Sequence, residues 1–311
     1  MTALALVICR SGAAQQPVYR AGIRTVPVYV TVSDNGGRLV PNLVKDDFRV
    51  FDDGRPVNID VFSNQAQAIT VVIMLDTSGS MGVRITRVRQ STDRFIDAIA
   101  PGDRARLGSF GWEVSLSPML TGDKTRLRRV LQEELWPGGP TPLWRALLAG
   151  MTSLEGEGGR RVVLVLTDGD DNDLYENPRP NAAEVRRRAV RDAFMVYAIG
   201  MNRSQRTVQF SYTDERGADV RGERPSGLAL GGLTDEMVKL VEETGGGHFE
   251  VQADADLGAT FARVGEELRH QYLLGFSPEA LDGKTHALDV QVRAAGCRAR
   301  ARRYYVAGEE R

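Results

Sequence analysis

The stretch Val71–Gly82, VVIMLDTSGSMG, is an apolar run that stops at an aspartate and passes into three hydroxyl side chains around a glycine. A short, unalternating apolar run of this kind reads as a strand buried on both faces, as in parallel sheets covered by helices. Where it enters its loop, Asp76, Ser78 and Ser80 form an Asp-x-Ser-x-Ser group. That spacing turns three short oxygen side chains toward one point above the sheet edge.

Working outward from this strand, which begins at Ile69, apolar strands alternate with amphipathic helices. Ile85, Val88, Phe95, Ile96 and Ile99 recur at helical spacing. RARLGSFG and EVSLSPML read as a hairpin pair around Gly111, and two helices come next, with Leu127, Val130 and Leu131 and then Leu143, Ala146, Leu147 and Leu154 inward. RRVVLVLTD and MVYAIGM are further buried strands, and helices at about 234–245 and 256–271 flank the short strand GHFEV. The alternation predicts an α/β domain over 68–272: a doubly wound, mostly parallel sheet with helices on both faces, and a ligand site at the carboxyl ends of the strands. The stretch 203–232, rich in Gly, Arg and Ser, reads as an inserted hairpin or mobile loop. Ahead of this domain, 17–67 alternates as strands with turns at Asn35-Gly36 and Asp53-Gly54, a small β domain expected to pack on the α/β domain. After it, 273–311 returns to strand alternation as a β extension.

The chain of 311 residues carries 40 basic and 41 acidic residues, a net charge of −1, so its overall field does not favour a nucleic-acid partner. Hydrophobic residues at 42% and charged residues at 26% suit a chain with a sizeable core. Residues 1–16, MTALALVICRSGAAQQ, read as a secretory signal, which predicts an exported protein: periplasmic, cell-surface or secreted. Removal of that segment takes Cys9 with it and leaves Cys297 with no partner. No later run is long and apolar enough to predict a membrane span.

Two further oxygen side chains fall at equivalent strand or loop ends: Thr141 in GGPTPLWRAL, just before a helix, and Asp168 in VLVLTDGDDN. Hydroxyls and carboxylates are hard donors, and a few of them with retained waters suit Mg²⁺, or Mn²⁺. Taken alone, Asp76, Ser78 and Ser80 read better as caps of the next helix. Thr141 and Asp168 turn the balance toward a metal site.

The set Asp76, Ser78, Ser80, Thr141 and Asp168 resembles the complete metal-ion-dependent adhesion site of von Willebrand factor A domains, and GGPTPL and LTDG resemble that family's flanking sequences. The resemblance covers about residues 69–272. It implies that Ser78, Ser80 and Thr141 touch the metal directly or through water, and that Asp76 and Asp168 hold the shell largely through water. It also implies a protein ligand whose Asp or Glu completes the coordination. The segments VTVSDNGGRLVPNLVKDDFRVFDDG and QYLLGFSP look like a bacterial subgroup of exported proteins related to this family.

Other signals are weaker. DGDDND, residues 168–173, starts like a calcium loop but has Asp173 where glycine belongs and Arg179 where glutamate belongs, so an acidic rim or a solvated loop is expected. Arg186, Arg187, Arg188 and Arg191 read as a solvated helix face, and Arg298, Arg300, Arg302 and Arg303 as a strand with one wet face. Trp112, Trp136 and Trp144 are expected to pack inside. His248, His270 and His286 stand beside no nucleophile motif, Gly-x-Ser-x-Gly is absent, and Ser78 stands where an Asp-x-Asp phosphatase needs its second aspartate. A binding module rather than an enzyme is expected. The alternatives are a metal-dependent hydrolase and a metal-independent structural or assembly module.

Overall fold

The computed structural model describes residues 25–169, 171–174, 178–202, 207–213, 219–225, 232–252 and 255–308. The candidate signal segment 1–16 lies outside them. In chain order the first strands are β1 (Val26–Asp34), β2 (Phe48–Asp52), β3 (Arg55–Val57) and β4 (Val61–Ser63). The α/β unit is next: β5 (Ile69–Asp76), a 3-10 turn at Gly79–Arg84, α1 (Ile85–Ala98), β6 (Arg104–Phe110), β7 (Val114–Leu116), α2 (Lys124–Glu133), α3 (Leu143–Thr152), β8 (Arg160–Thr167), α4 (Ala182–Arg191) and β9 (Met195–Met201). Two antiparallel strands, β10 (Thr207–Thr213) and β11 (Asp219–Pro225), form the inserted hairpin; the rest of 203–231 lies outside the described residues. Then come α5 (Asp235–Thr244), β12 (His248–Val251), α6 (Leu257–Arg269), β13 (Tyr272–Phe276), β14 (Thr285–Val292), β15 (Cys297–Arg300) and β16 (Tyr304–Val306).

The central sheet runs in the order β12-β9-β8-β5-β6-β7, parallel except for β7, which turns back on β6 as the hairpin around Gly111 predicts. All eight residues of β5 are buried because both faces are covered. Val71, Ile73 and Leu75 face one core with Val88, Phe95, Leu127 and Phe261 of α1, α2 and α6. Val72 and Met74 face the other, with Leu147, Val185 and Met237 of α3, α4 and α5. Each such side chain withdrawn from water contributes about 1.5–3 kcal/mol, so β5 is firmly fixed in the domain. Caps set the helix starts: the Asp123 carboxylate accepts from the backbone of Thr125 and Arg126, and the Asp256 carboxylate from Gly258 and Ala259.

The remaining strands form two four-stranded sheets, β15-β1-β13-β4 and β16-β14-β2-β3. They share a core of Val28, Val30, Phe48, Val50, Tyr272, Leu274, Phe276 and Tyr305. β1 pairs antiparallel with β13 and β2 with β14, so strands from before and after the α/β unit interleave. This pairing supplies the support that the N-terminal strands could not supply by themselves. The arginine stripe near the end departs from expectation. Arg298 is exposed, but Arg300 reaches a buried carboxylate, Glu267 of α6, and the Arg302 guanidinium donates to the Pro27 carbonyl at 2.7 Å. Burial holds Arg302 down at about 10. The face expected to be wet is partly laid against the rest of the protein, because long arginine stems can cross an apolar seam and place their heads on polar partners.

Among the described residues no helix is long and apolar enough to cross a membrane.

Candidate metal centre

Asp76 is the last residue of β5, and Asp168 directly follows β8, the parallel neighbour of β5. Both side chains are fully buried. Their loops are tied together by backbone. Thr77 N–H donates to the Phe110 carbonyl at 2.8 Å, Gly138 N–H to the Thr77 carbonyl at 2.7 Å and Gly79 N–H to the Gly139 carbonyl at 3.1 Å. Thr141 and Asn172 exchange two bonds, at 2.8 and 3.2 Å, which fastens the loop before α3 to the loop after β8. The glycine pair in GGPTPL arises from this crowding. Gly138 and Gly139 take φ of +142° and +90°, and a Cβ on Gly139 would overlap the backbone of Trp112.

Side chains then link the loops. Asp76 Oδ1 accepts from the Ser78 N–H at 2.8 Å, and Oδ2 from the Thr167 hydroxyl at 2.7 Å. Ser78 Oγ lies 3.2 Å from Ser80 Oγ, and the Ser80 hydroxyl donates to Asp168 Oδ1 at 2.8 Å. Arg84 Nη1 donates to Asp168 Oδ2 at 2.7 Å. Ser78, Ser80 and Asp168 are thus joined directly. Asp76 joins through the Ser78 backbone, and Thr141, itself buried, is paired through its backbone with Asn172 of the loop after Asp168. Burial pushes the Asp76 carboxyl up, against the Ser78 and Thr167 hydrogen bonds and with the Asp168 charge adding to the rise. Thr167 and Arg84 were missed in the sequence. Thr167 carries a signal only as the hydroxyl before Asp168, and Arg84 as a cation one turn past Ser80.

The donor set suits a hard divalent ion. Two buried carboxylates stand over the sheet, Asp76 is held by neutral donors, and hydroxyls line the space between the loops. Buried negative charge of this kind calls for a cation, and oxygen donors that can share the shell with water match Mg²⁺ or Mn²⁺.

The acidic loop is less solvated than expected. Asp171 Oδ1 accepts from the Trp144 N–H at 3.1 Å, at the start of α3, and burial pushes its carboxyl up. Asp173 is buried and pairs with Arg145 Nε at 3.1 Å. These two carboxylates fasten the loop to α3. Trp144 is buried as expected, but Trp112 and Trp136 are exposed, on turns that also carry Gly111, Pro137, Gly138 and Gly139. On α4, Arg186 pairs with Glu236 and Glu243, and Arg188 with Glu155, so the stripe is a surface ion-pair face. His248 lies on β12, His270 bonds the Glu266 carbonyl at 2.9 Å, and His286 lies on β14; none of these elements carries the five oxygen residues.

Residues 70–214 match the family model of the von Willebrand factor type A domain. The chain carries a von Willebrand factor type A domain. Domains of this family are commonly adhesion or protein-interaction modules, and often bind a divalent metal. A solved von Willebrand factor type A protein from Catenulispora acidiphila has the same fold, at 12% identity over 93% of this chain and 74% of that one, with a TM-score of 0.51. The vWF domain of the type V pili tip protein Mfa5 from Porphyromonas gingivalis is similar at 12% identity, over 66% of this chain and 95% of that one, with a TM-score of 0.47. An aerotolerance-related membrane protein from Bacteroides fragilis is similar at 16% identity, over 65% and 98%, with a TM-score of 0.46. The chain matches none of the curated proteins.

Proposed function

We propose that the A domain is a binding module that grips a protein partner through one divalent ion, Mg²⁺ or Mn²⁺, held by Asp76, Ser78, Ser80, Thr141 and Asp168. The ion, when bound, offers an electrophilic position to an Asp or Glu of the partner. The carrying observation is the pair of wholly buried carboxylates, Asp76 and Asp168, set at adjacent strand ends with hydroxyls of Ser78 and Ser80 between them. The protein's own part is preorganisation. Ser78 N–H and the Thr167 hydroxyl fix the two oxygens of Asp76, and the Thr141–Asn172 pairing fixes the third loop, so little ordering remains when the ion and ligand arrive. Hydroxyl donors carry no charge, which leaves the ion poorly neutralised at close range and attractive to an incoming carboxylate. Export of the chain, read from residues 1–16, is part of the proposal.

The test is calorimetric titration of the purified protein with Mg²⁺, then affinity capture from the native envelope with and without EDTA. A partner retained with Mg²⁺ and released by EDTA and by Asp76→Ala is the expected result. Partner binding indifferent to both treatments would refute the proposal, and metal-dependent turnover of generic phosphate or ester substrates would replace it with the hydrolase alternative.

A further inference from the structure

Among the described residues the four most exposed large apolar side chains are Val83 at 88%, Trp136 at 77%, Trp112 at 63% and Leu174 at 60%. Val83, Trp136 and Leu174 stand on the loops that carry the five oxygen residues, and Trp112 stands on the turn that lies against Gly138 and Gly139 of one of them. Val83 shares the 3-10 turn with Ser80, Trp112 lies in the β6–β7 turn, Trp136 in the loop leading to Thr141, and Leu174 in the loop after Asp168. Three of them border one patch. A Cβ on Gly82, beside Val83, would meet Pro137, beside Trp136, at 3.8 Å, and a Cβ on Gly138 would meet the Trp112 indole nitrogen at 2.5 Å. Leu174 extends the patch past Asn172, the backbone partner of Thr141.

Apolar side chains gathered at one edge of a soluble domain mark a contact surface, and tryptophan is enriched among the residues that dominate binding energy. The charges nearby say what kind of surface fits. The loops 77–83, 111–117, 132–143 and 168–174 contain no Lys or Arg, and Glu113, Glu133 and Glu134 are exposed beside the two tryptophans. Arg84, Arg89 and Arg145, at the margin, are engaged on Asp168, the Leu135 carbonyl and Asp173. Such an acidic, apolar rim repels an anionic lipid surface and complements a protein patch with basic residues at its edge.

We infer that Val83, Trp112, Trp136 and Leu174 form the docking rim for a protein partner whose contact patch presents one Asp or Glu flanked by apolar side chains, with Lys or Arg at its margin. The central carboxylate rests on the function proposed above; the apolar and basic parts rest on the rim alone. The rim would exclude water around the ion and choose among the many surface carboxylates that any protein offers.

The probe is a random-peptide phage library panned on the full chain in Mg²⁺. The expected consensus has an acidic residue, flanking aromatic or aliphatic positions and a basic position. A synthetic consensus peptide should lose at least about ten-fold in affinity with the double variant Val83→Ser, Trp136→Ser, by the usual size of a truncated hot spot. Both side chains are exposed, so an unchanged thermal melt of the variant checks that the fold is intact. Rim-dependent binding that survives EDTA would overturn the metal reading and leave the rim standing. Mg²⁺-dependent binding indifferent to the double variant and to Trp112→Ser would overturn the rim and leave the metal standing. Failure to enrich any consensus, or binding to phosphatidylcholine–phosphatidylglycerol vesicles that the double variant abolishes, would also overturn it.

Discussion

Asp76→Asn separates the role of this residue in the fold from its proposed role in holding an ion. The amide keeps an oxygen for the Ser78 N–H, the 2.8 Å bond that shapes the start of the loop. On the other side an NH₂ replaces the acceptor of the Thr167 hydroxyl, but that hydroxyl also lies 3.3 Å from the Gly169 carbonyl and can turn to donate there. Loss of one hydrogen-bond arrangement at about 1 kcal/mol is offset by removal of a buried charge, so metal-free stability should change by about 1 kcal/mol or less. The ion is a different matter, because a group that binds only the folded state adds about 2.7 kcal/mol at about 100 times its Kd. At about 2–4 °C per kcal/mol for a domain of this size, wild type should gain about 5–10 °C from Mg²⁺. Differential scanning calorimetry in EDTA and in excess Mg²⁺ reads both quantities. The expected result is nearly equal Tm values in EDTA and a Mg²⁺ gain for wild type alone. An equal gain in the Asn variant, or none from Mg²⁺ or Mn²⁺ in wild type, would refute the reasoning.

Arg84→Gln removes the guanidinium 2.7 Å from Asp168 while keeping a donor, so Mg²⁺ affinity by calorimetry should rise about ten-fold, or about 1.4 kcal/mol; unchanged or weaker binding would show that Arg84 does not compete with the ion. Gly139→Ala puts a Cβ at φ +90° against the Trp112 backbone, and should cost about 2 kcal/mol or more in a denaturant melt, with weakened Mg²⁺ binding because the loop leading to Thr141 shifts. In the β sandwich, burial pulls the His286 imidazole down, but hydrogen bonds that it donates to Asp52 and Asp282 and the Asp52 and Asp53 charges outweigh it and hold the group above its ordinary 6.5. A folded value above the unfolded one gives stabilisation that is complete below about pH 6.5 and lost as pH rises through the folded value. The urea midpoint of wild type should therefore exceed that of His286→Gln in mild acid and converge on it in mild alkali; a gap that widens with pH would reverse the sign.

The α/β unit was legible because its signals are local. An unalternating run such as ITVVIMLD can be satisfied only by cover on both faces, and the helices α1 to α3 carry their apolar residues at the spacing that supplies it. The sandwich was legible only in part. Alternation in VPVYVTVSD marks a strand, but nothing within those nine residues says that the partner is Tyr272–Phe276, more than two hundred residues on. Pairing at that separation requires the α/β unit to bring its two ends together, and no local pattern records it. The same limit explains Arg300 and Arg302. Alternation with alanine fits Arg298 and Arg300 on β15, while Arg302 lies past the strand's end, and whether these side chains meet water is decided by α6 and β1.

At the candidate metal centre, spacing disclosed the oxygens and concealed the charge balance. Asp76, Ser78 and Ser80 announce themselves because three donors in five residues at a strand end are rare outside caps, and Thr141 and Asp168 fall at loops that a doubly wound sheet must bring together. Arg84 belongs to the same cluster for a reason no motif shows. Asp168 is fully buried, and a buried carboxylate without a positive partner or an ion is costly enough to disturb its neighbours. With Arg84 in place the loop can hold its shape before an ion arrives, and an ion that does arrive meets both a preformed cradle and a resident positive charge. Affinity should therefore be moderate by construction, with shape favouring the ion and Arg84 opposing it. Partner binding then becomes the event that tips the balance, since an incoming carboxylate adds negative charge beside the ion and offsets the guanidinium. Ion and partner should bind with positive coupling, each tightening the other by the same factor, and that factor should shrink in Arg84→Gln.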